Sequence, residues 1–597
     1  MKPFENQNSR RKFVQGLALG GVVAAMPKFQ TAMAKSDLAH SNPAPVLSGR
    51  VIDLTVAQTP VNFTGVDRLG TTINGSIPAP TLHLTEGDTV TIRVTNNLAE
   101  YTSIHWHGII LPFQMDGVPG ISFGGIAPGE TFVYTFELQQ SGTYWYHSHS
   151  GFQEMTGMYG AIIIEPKKPE VIQSDQEHIV LLSDWTDDDP MRVFGKLKTQ
   201  SDLYNFSQPT VGDFFEDVST KGLGKALQMR KMWNTMRMSP TDLADLSSSI
   251  ITYLMNGTTP NGNWTGLFNP GERVRLRFIN GSSNTFYDVR IPGLKLTIVQ
   301  SDGNNVKPVT IDEFRFGPGE TYDVIVEPQQ EDAYTIFAQS MDRTGYARGT
   351  LARRQGLTAP VPKLDPVQWL GMTDMMGKMA DEGGGMAMPM GNNTMQQGNT
   401  SMHGGMSMDH SAHAQDGDAL SVPSKKVTHA STEYGPSVDM RVDMPRTNLD
   451  DPGVGLRNNG RRVLTLADLR SRDGILNSKG PEREIQLHLT GNMERYSWSF
   501  DGLEFGKSTP VHMAHNQRIR VILVNDTMMT HPMHLHGMWS DLEDDQGNLL
   551  VRRHTIPVQP AQRISFLTTP QDLGRWAWHC HLLFHMDAGM FREVVVA

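Results

Sequence analysis

Three stretches of the chain repeat one alternation of apolar and polar positions. They are Glu86-Gly87-Asp88-Thr89-Val90-Thr91-Ile92-Arg93-Val94-Thr95-Asn96, Pro270-Gly271-Glu272-Arg273-Val274-Arg275-Leu276-Arg277-Phe278-Ile279-Asn280 and, more loosely, His515-Asn516-Gln517-Arg518-Ile519-Arg520-Val521-Ile522-Leu523-Val524-Asn525. Each is a turn leading into a period-2 pattern, the signature of a half-buried strand. A second signal follows each copy: Ala127-Pro128-Gly129-Glu130-Thr131, Gly317-Pro318-Gly319-Glu320-Thr321 and Gln559-Pro560-Ala561-Gln562-Arg563, again opening alternating strands. Two linked signals in one order predict three homologous β-sandwich domains, over 45–167, 175–352 and 425–597, and an all-β fold class. The pattern lapses over 371–416. That stretch is rich in Gly, Met, Asn, Ser and His and reads as a flexible insertion or linker before the third domain. Ala226 to Leu246 reads as helical, decorating the second domain.

Composition sharpens this only slightly. The 597 residues have room for three or four domains, and 38% hydrophobic with 19% charged residues fits a globular protein. Gly 57 and Pro 35 suit a turn-rich β fold. The net charge of -11 argues against a nucleic-acid partner. Residues 1–34 read as an export address. Ser9-Arg10-Arg11-Lys12-Phe13 is a twin-arginine pattern, Val14 to Ala25 is apolar, and Ala32-Met33-Ala34 offers a cleavage site, so the mature chain should begin near Lys35. The apolar stretch is too short to span a bilayer comfortably, and nothing later reads as a membrane span. The expected location is the periplasm, reached by the twin-arginine route.

Four histidine clusters change the picture more: His105-Trp106-His107, His147-Ser148-His149, His531-Pro532-Met533-His534-Leu535-His536, and His579-Cys580-His581 with His585 and Met590. The first two lie in repeat one and the last two in repeat three, while 271–350 contains no histidine. Core packing would not sort histidines so. On a strand, residues i and i+2 face one way. The pairs therefore present eight imidazoles, from His105, His107, His147, His149, His534, His536, His579 and His581. That is too many for one metal and suited to a cluster of about three where the first and third domains meet. Cys580, the sole cysteine, faces the other way, and His531 has the opposite parity to His534 and His536. Cys580, His531, His585 and Met590 make the thiolate, imidazole and weak axial thioether set of a blue-copper site. One strand thus joins a one-electron collector to a multi-metal cluster, a layout that four-electron reduction of dioxygen requires. The other histidines, among them His429, His488 and His554, read as ordinary polar residues.

These motifs, complete and in order, resemble those of the multicopper oxidases, which include laccases, ascorbate oxidase and bacterial copper oxidases. The resemblance covers essentially the mature chain. It implies three cupredoxin domains and four copper ions. His531, Cys580, His585 and Met590 would hold type 1 copper, and His105 and His534 type 2. His107, His147, His149, His536, His579 and His581 would hold the type 3 pair. Relatives place an aspartate near the type 2 copper to handle protons, here Asp116 in Met115-Asp116-Gly117-Val118-Pro119-Gly120. A turn-forming aspartate is the rival reading. Some relatives carry an acidic residue just after the histidine equivalent to His585. Here that position is Met586, with Asp587 next.

The polar stretch also holds Met372, Met375, Met376, Met379, Met386, Met388, Met390, Met395, Met402, Met406 and Met408, joined by His403, His410 and His413. Thioethers select Cu(I), so collection of Cu(I) competes with a plain linker. Met229, Met232, Met236 and Met238 form a second cluster on the predicted helix, either a core stripe or a route for copper. Together these features resemble the periplasmic copper-resistance protein A type of multicopper oxidase. The expected activity is oxidation of Cu(I) to Cu(II), with phenols as further substrates, dioxygen as acceptor and other periplasmic copper-handling proteins as partners. A general laccase and a copper-sequestering protein are the competing readings.

Overall fold

The computed structural model describes residues 44–236, 238–377 and 423–597. The expected export address and residues 378–422, with Met379, Met386, Met388, Met390, Met395, Met402, Met406 and Met408, lie outside the described residues. No described helix is long and apolar enough to cross a membrane.

The described chain is predominantly β, folded as three two-sheet sandwiches of cupredoxin type. Each repeat copy forms the same inner strand. Thr89–Asn96, Val274–Asn280 and Ile519–Asn525 each pair in parallel with an earlier strand of their unit, Val51–Val61, Gln176–Thr186 and Arg483–Asn492. On its other side each inner strand pairs antiparallel with the strand that the second signal opens, Thr131–Glu137, Thr321–Val326 and Arg563–Thr568.

The asparagine closing each copy explains why the two signals travel together. Asn96, Asn280 and Asn525 are fully buried. Each side-chain amide donates to the carbonyl just before the second signal, Ile126, Phe316 and Val558, at 2.8, 3.0 and 2.9 Å. Each Oδ1 accepts the backbone N–H two residues on, from Leu98, Ser282 and Thr527. A buried amide that satisfies several backbone groups at once has no apolar substitute.

The predicted helix is shorter than expected. It runs Leu223–Met236 and stops before Ser239-Pro240, where proline disfavours helix in the preceding residue. Two further helices, Pro190–Leu197 and Val211–Lys221, precede it.

Arg553 ties the third sandwich to the second. Its guanidinium donates to Asp302 at 3.0 Å, Glu320 at 2.6 Å and the Tyr322 hydroxyl at 3.0 Å, and it is fully buried with both carboxylates. Burial pushes Glu320 up to about 7, whereas for Asp302 burial is outweighed by the charges of Arg553 and His554 together with hydrogen bonds from Arg553 and the Thr321 N–H, which hold it low. Arg553→Met would leave two buried carboxylates without a counter-charge. The expected cost is about 3–5 kcal/mol, seen as a lowered melting temperature in calorimetry. An unchanged melting temperature would refute this role.

Candidate metal centre

Strand pairing brings the histidines together two by two. His105–His107 pairs antiparallel with Gly142–His147, setting His105 opposite His147. His531–Leu535 pairs with Gly574–Cys580, setting His534 opposite His579 and Met533 opposite Cys580. His149, His536 and His581 follow directly beyond these strand ends. Faces of the first and third sandwiches then meet. His105 stacks on His536 and His107 on His534, each with ring centroids 3.8 Å apart. His149 approaches His579, and His147 approaches His581, both at 5.0 Å. Within this group, ligand atoms of His107, His147 and His581 lie within 4.8 Å of one another, as do those of His149, His536 and His579, and those of His105, His107 and His534.

Outer hydrogen bonds orient the rings. The Nδ1–H of His105 donates to the Asp116 carbonyl at 2.8 Å, and that of His534 to the His554 carbonyl at 2.7 Å. His147 Nδ1 lies 2.6 Å from the Glu154 carboxylate, and His579 Nδ1–H donates to the Cys580 carbonyl at 2.9 Å. His536 Nδ1–H donates to Asp116 Oδ2 at 3.0 Å. His107 is reversed, with Nε2 held by the Thr555 hydroxyl at 3.1 Å. The Asp116 loop can close on the His105 strand because Gly117, at φ +78°, has no Cβ; one there would sit 1.8 Å from the Ile104 carbonyl oxygen.

The other ring nitrogens test whether copper fits. His105, His147, His149 and His534 each leave Nε2 buried without a hydrogen-bond partner, His107 leaves Nδ1, and His581 leaves both nitrogens. Orphaned buried polar atoms are costly, and so many around one space are hard to sustain unless a metal takes their lone pairs. Burial, reinforced by neighbouring imidazoles, holds His107, His147, His149, His534, His536 and His581 well below the usual histidine range, and burial brings His579 to about 4. The rings are therefore neutral, the form that ligates metals.

On the other face of the Cys580 strand, Cys580 Sγ lies 3.5 Å from His531 Nδ1 and 3.8 Å from His585 Nδ1, and the two nitrogens are 3.1 Å apart. All three residues and Met590 are fully buried. The chain returns Met590 by hydrogen bonds from its N–H to the His585 carbonyl and from the Cys580 N–H to its own carbonyl. Burial pushes the Cys580 thiol well up, so a bound cation is needed to keep it as thiolate. Both donor sets suit copper.

Several contributors escaped the motif reading. Asp245 lies 3.0 Å from His585 Nε2 and accepts from the Tyr496 hydroxyl at 2.8 Å. The Thr527 hydroxyl bonds His531 Nε2 at 2.7 Å, and Trp498 stacks on His585 at 3.9 Å. His554 lies 4.8 Å from the His107 ring. Glu154 follows His149 by five residues in a buried turn, and that proximity was the one signal available for it. Asp587 is exposed, near the charge of Lys198.

Of the methionines, Met375 is fully buried in the core, while Met376 and Met238 are half-buried against it. Met229 is half-buried on its helix. Met372 opens the short helix Met372–Met376.

Family models described as multicopper oxidase match residues 55–169, 176–356 and 478–597. The chain is 55% identical over 603 residues to copper resistance protein A of Escherichia coli, covering 99% of both chains. It is 56% identical over 611 residues to copper resistance protein A of Pseudomonas syringae pv. tomato, covering 99% of this chain and 100% of that one. Among solved structures, the laccase of Botrytis aclada superposes with a TM-score of 0.60 at 21% identity, covering 92% of this chain and 88% of that one, a likeness of fold.

Proposed function

Because the chain belongs to the multicopper oxidase family, a group of copper-dependent oxidoreductases with four copper ions, we propose that it is an exported copper-tolerance enzyme oxidising Cu(I) to Cu(II) with dioxygen as acceptor. Four Cu(I), one dioxygen and four protons would give four Cu(II) and two waters, which balances charge and atoms. The relatives named for copper resistance support the tolerance role. The periplasm and twin-arginine export remain the reading of Ser9-Arg10-Arg11-Lys12-Phe13.

In this reading His531, Cys580, His585 and Met590 hold type 1 copper, and His105 and His534 type 2. His107, His147 and His581 hold one type 3 ion, and His149, His536 and His579 the other. The observation that carries it is the convergence of unpartnered buried nitrogens from the first and third sandwiches. When bound, the copper ions supply one-electron transfer and the reduction of dioxygen. The protein's own groups do the rest. The Thr527 hydroxyl fixes the outer edge of His531, and the Asp245 carboxylate lies 3.0 Å from the outer nitrogen of His585. The Ser148 carbonyl accepts from His147 Nδ1–H with the Glu154 carboxylate beside it, Asp116 fixes His536, and Asp116 would stand in position to pass protons.

The Met-rich stretch would collect Cu(I). Its described start supports a position near the type 1 ligands, since Asp374 and Leu370 line one cavity with Met528 and Thr530, the residues leading to His531. Met375 is already committed to the core, so the test leaves it unchanged. Replacing Met379, Met386, Met388, Met390, Met395, Met402, Met406 and Met408 by leucine should slow Cu(I)-dependent oxygen uptake about tenfold at low Cu(I). Oxidation of a bulky phenol should hold or rise. Equal rates on Cu(I) in both proteins would favour a general laccase. Absence of Cu(I)-dependent oxygen uptake in the wild type would favour copper sequestration.

A further inference from the structure

Away from the ligands above, four ionisable side chains of the third sandwich meet in its interior. His429 and Glu433 lie at the entrance to the short helix Ser431–Tyr434, His488 on the strand Arg483–Asn492, and Asp526 just after the strand Ile519–Asn525. Their side chains are at most 3% exposed. His429 Nδ1 lies 2.7 Å from Glu433 Oε2 and 3.6 Å from Asp526 Oδ2. His488 Nδ1 lies 2.6 Å from Asp526 Oδ2 and 3.3 Å from the same Glu433 oxygen. Two imidazole nitrogens and two carboxylate oxygens thus face one point, all within 4.8 Å of one another.

We propose that His429, Glu433, His488 and Asp526 form a fifth metal site, for a borderline divalent cation of the Zn2+ or Cu2+ class. Ligands about 2.0–2.1 Å from a tetrahedral ion stand roughly 3.3–3.4 Å apart. The observed separations of 2.6–3.6 Å bracket that edge. The two shortest need open by roughly 0.7 Å to admit an ion.

Three of the four atoms facing away from this point are already hydrogen-bonded. Glu433 Oε1 accepts the Ala430 N–H at 3.0 Å, and Asp526 Oδ1 accepts the Val442 N–H at 2.8 Å. His488 Nε2 meets the Gln486 side-chain amide at 2.9 Å; His429 Nε2 makes no hydrogen bond but lies 3.3 Å from the Asp443 carboxylate, close enough to become its outer partner. Outer partners on the second ring nitrogen are what fix ligating imidazoles. Rotating the Gln486 amide by half a turn would let its oxygen accept from His488 Nε2–H, freeing the Nδ1 lone pair.

Charge points the same way. Glu433 and Asp526 outweigh burial and raise His429, so a protonated imidazole offsets part of their charge in the metal-free cluster; a divalent ion would offset both carboxylates with the imidazoles neutral. Oxygen and imidazole donors without thiolate or thioether fit a borderline dication and disfavour Cu(I). The site would staple the segment that opens the third sandwich to the sheet carrying His488.

The test uses the full-length, copper-loaded protein, exposed separately to Zn2+ and Cu2+ and then desalted. Metal per chain is counted in the wild type and in the double variant His429→Gln/Glu433→Gln. The wild type should keep about one equivalent beyond the four coppers, and the double variant should lose it with its blue absorption unchanged. Retention of Zn2+ identifies a structural ion. Retention of Cu2+, with an added paramagnetic resonance signal that the variant lacks, identifies a copper site. Asp443→Asn, at an exposed outer partner, should weaken binding about tenfold or more without disturbing the fold, which keeps the test valid if the double variant misfolds. A wild type that keeps only four metals and shows no rise in melting temperature with either ion would overturn the proposal. So would an extra equivalent that survives in the double variant.

Discussion

Cys580→Ser should lose the blue absorption entirely and retain essentially no turnover, while binding about three of the four coppers. The blue colour of such sites arises from thiolate-to-copper charge transfer, and the chain has no second cysteine to substitute. Serine nearly preserves shape in a fully buried position, so the fold should persist, but its hydroxyl is a hard, weakly acidic donor that does not replace a thiolate. The neighbouring His579 and His581 face the opposite side of the strand, and their contacts with His536 and His147 do not involve the sulfur. Absorption spectroscopy, copper counting and oxygen uptake on one preparation check all three expectations. A blue, active serine variant would sink the assignment. Loss of all copper would show that the two centres assemble together rather than separately.

The sequence made the fold class readable because a strand's period is local. Val90, Ile92 and Val94 alternate with Thr91 and Arg93 whatever lies elsewhere, and the same holds for the other two copies. Parity also told which histidines share a face, since His579 and His581 flank Cys580 at the end of one strand. Ring orientation was beyond such reasoning. His107 turns Nδ1 inward because Thr555, 448 residues away, holds its Nε2. Asp245 and Glu154 carry no motif, and only tertiary packing sets them beside His585 and His147. His429 and His488 looked ordinary because their cluster joins the close pair His429 and Glu433 to His488 and Asp526, which lie far along the chain. The asparagines closing the copies were visible in the sequence at equivalent positions. Their carbonyl partners 30 to 36 residues away gave that identity its meaning.

Asp116→Asn should slow oxygen reduction by about 10²–10⁴-fold while leaving the blue absorption and the copper count intact. The carboxylate is 1% exposed and stands between two rings of the cluster. Oδ2 accepts from His536 Nδ1–H at 3.0 Å, and Oδ1 lies 3.4 Å from His105 Nδ1. His105 already donates to the Asp116 backbone carbonyl, which the substitution does not touch. Asparagine keeps the size and one acceptor oxygen, so the His536 bond can survive and both rings keep their orientation. What the amide cannot do is take up and release a proton, and forming water from dioxygen consumes protons. Asp116→Glu restores a titrating group on a longer arm and should recover part of the rate, whereas Asp116→Ala removes both acceptor and acid. Oxygen uptake across pH, with a solvent deuterium comparison, separates the roles. A rate within about twofold of wild type in the asparagine variant would leave Asp116 as a turn residue that positions His105 and His536. A rate loss accompanied by lost copper would mean that the carboxylate serves to hold the ligands rather than to move protons.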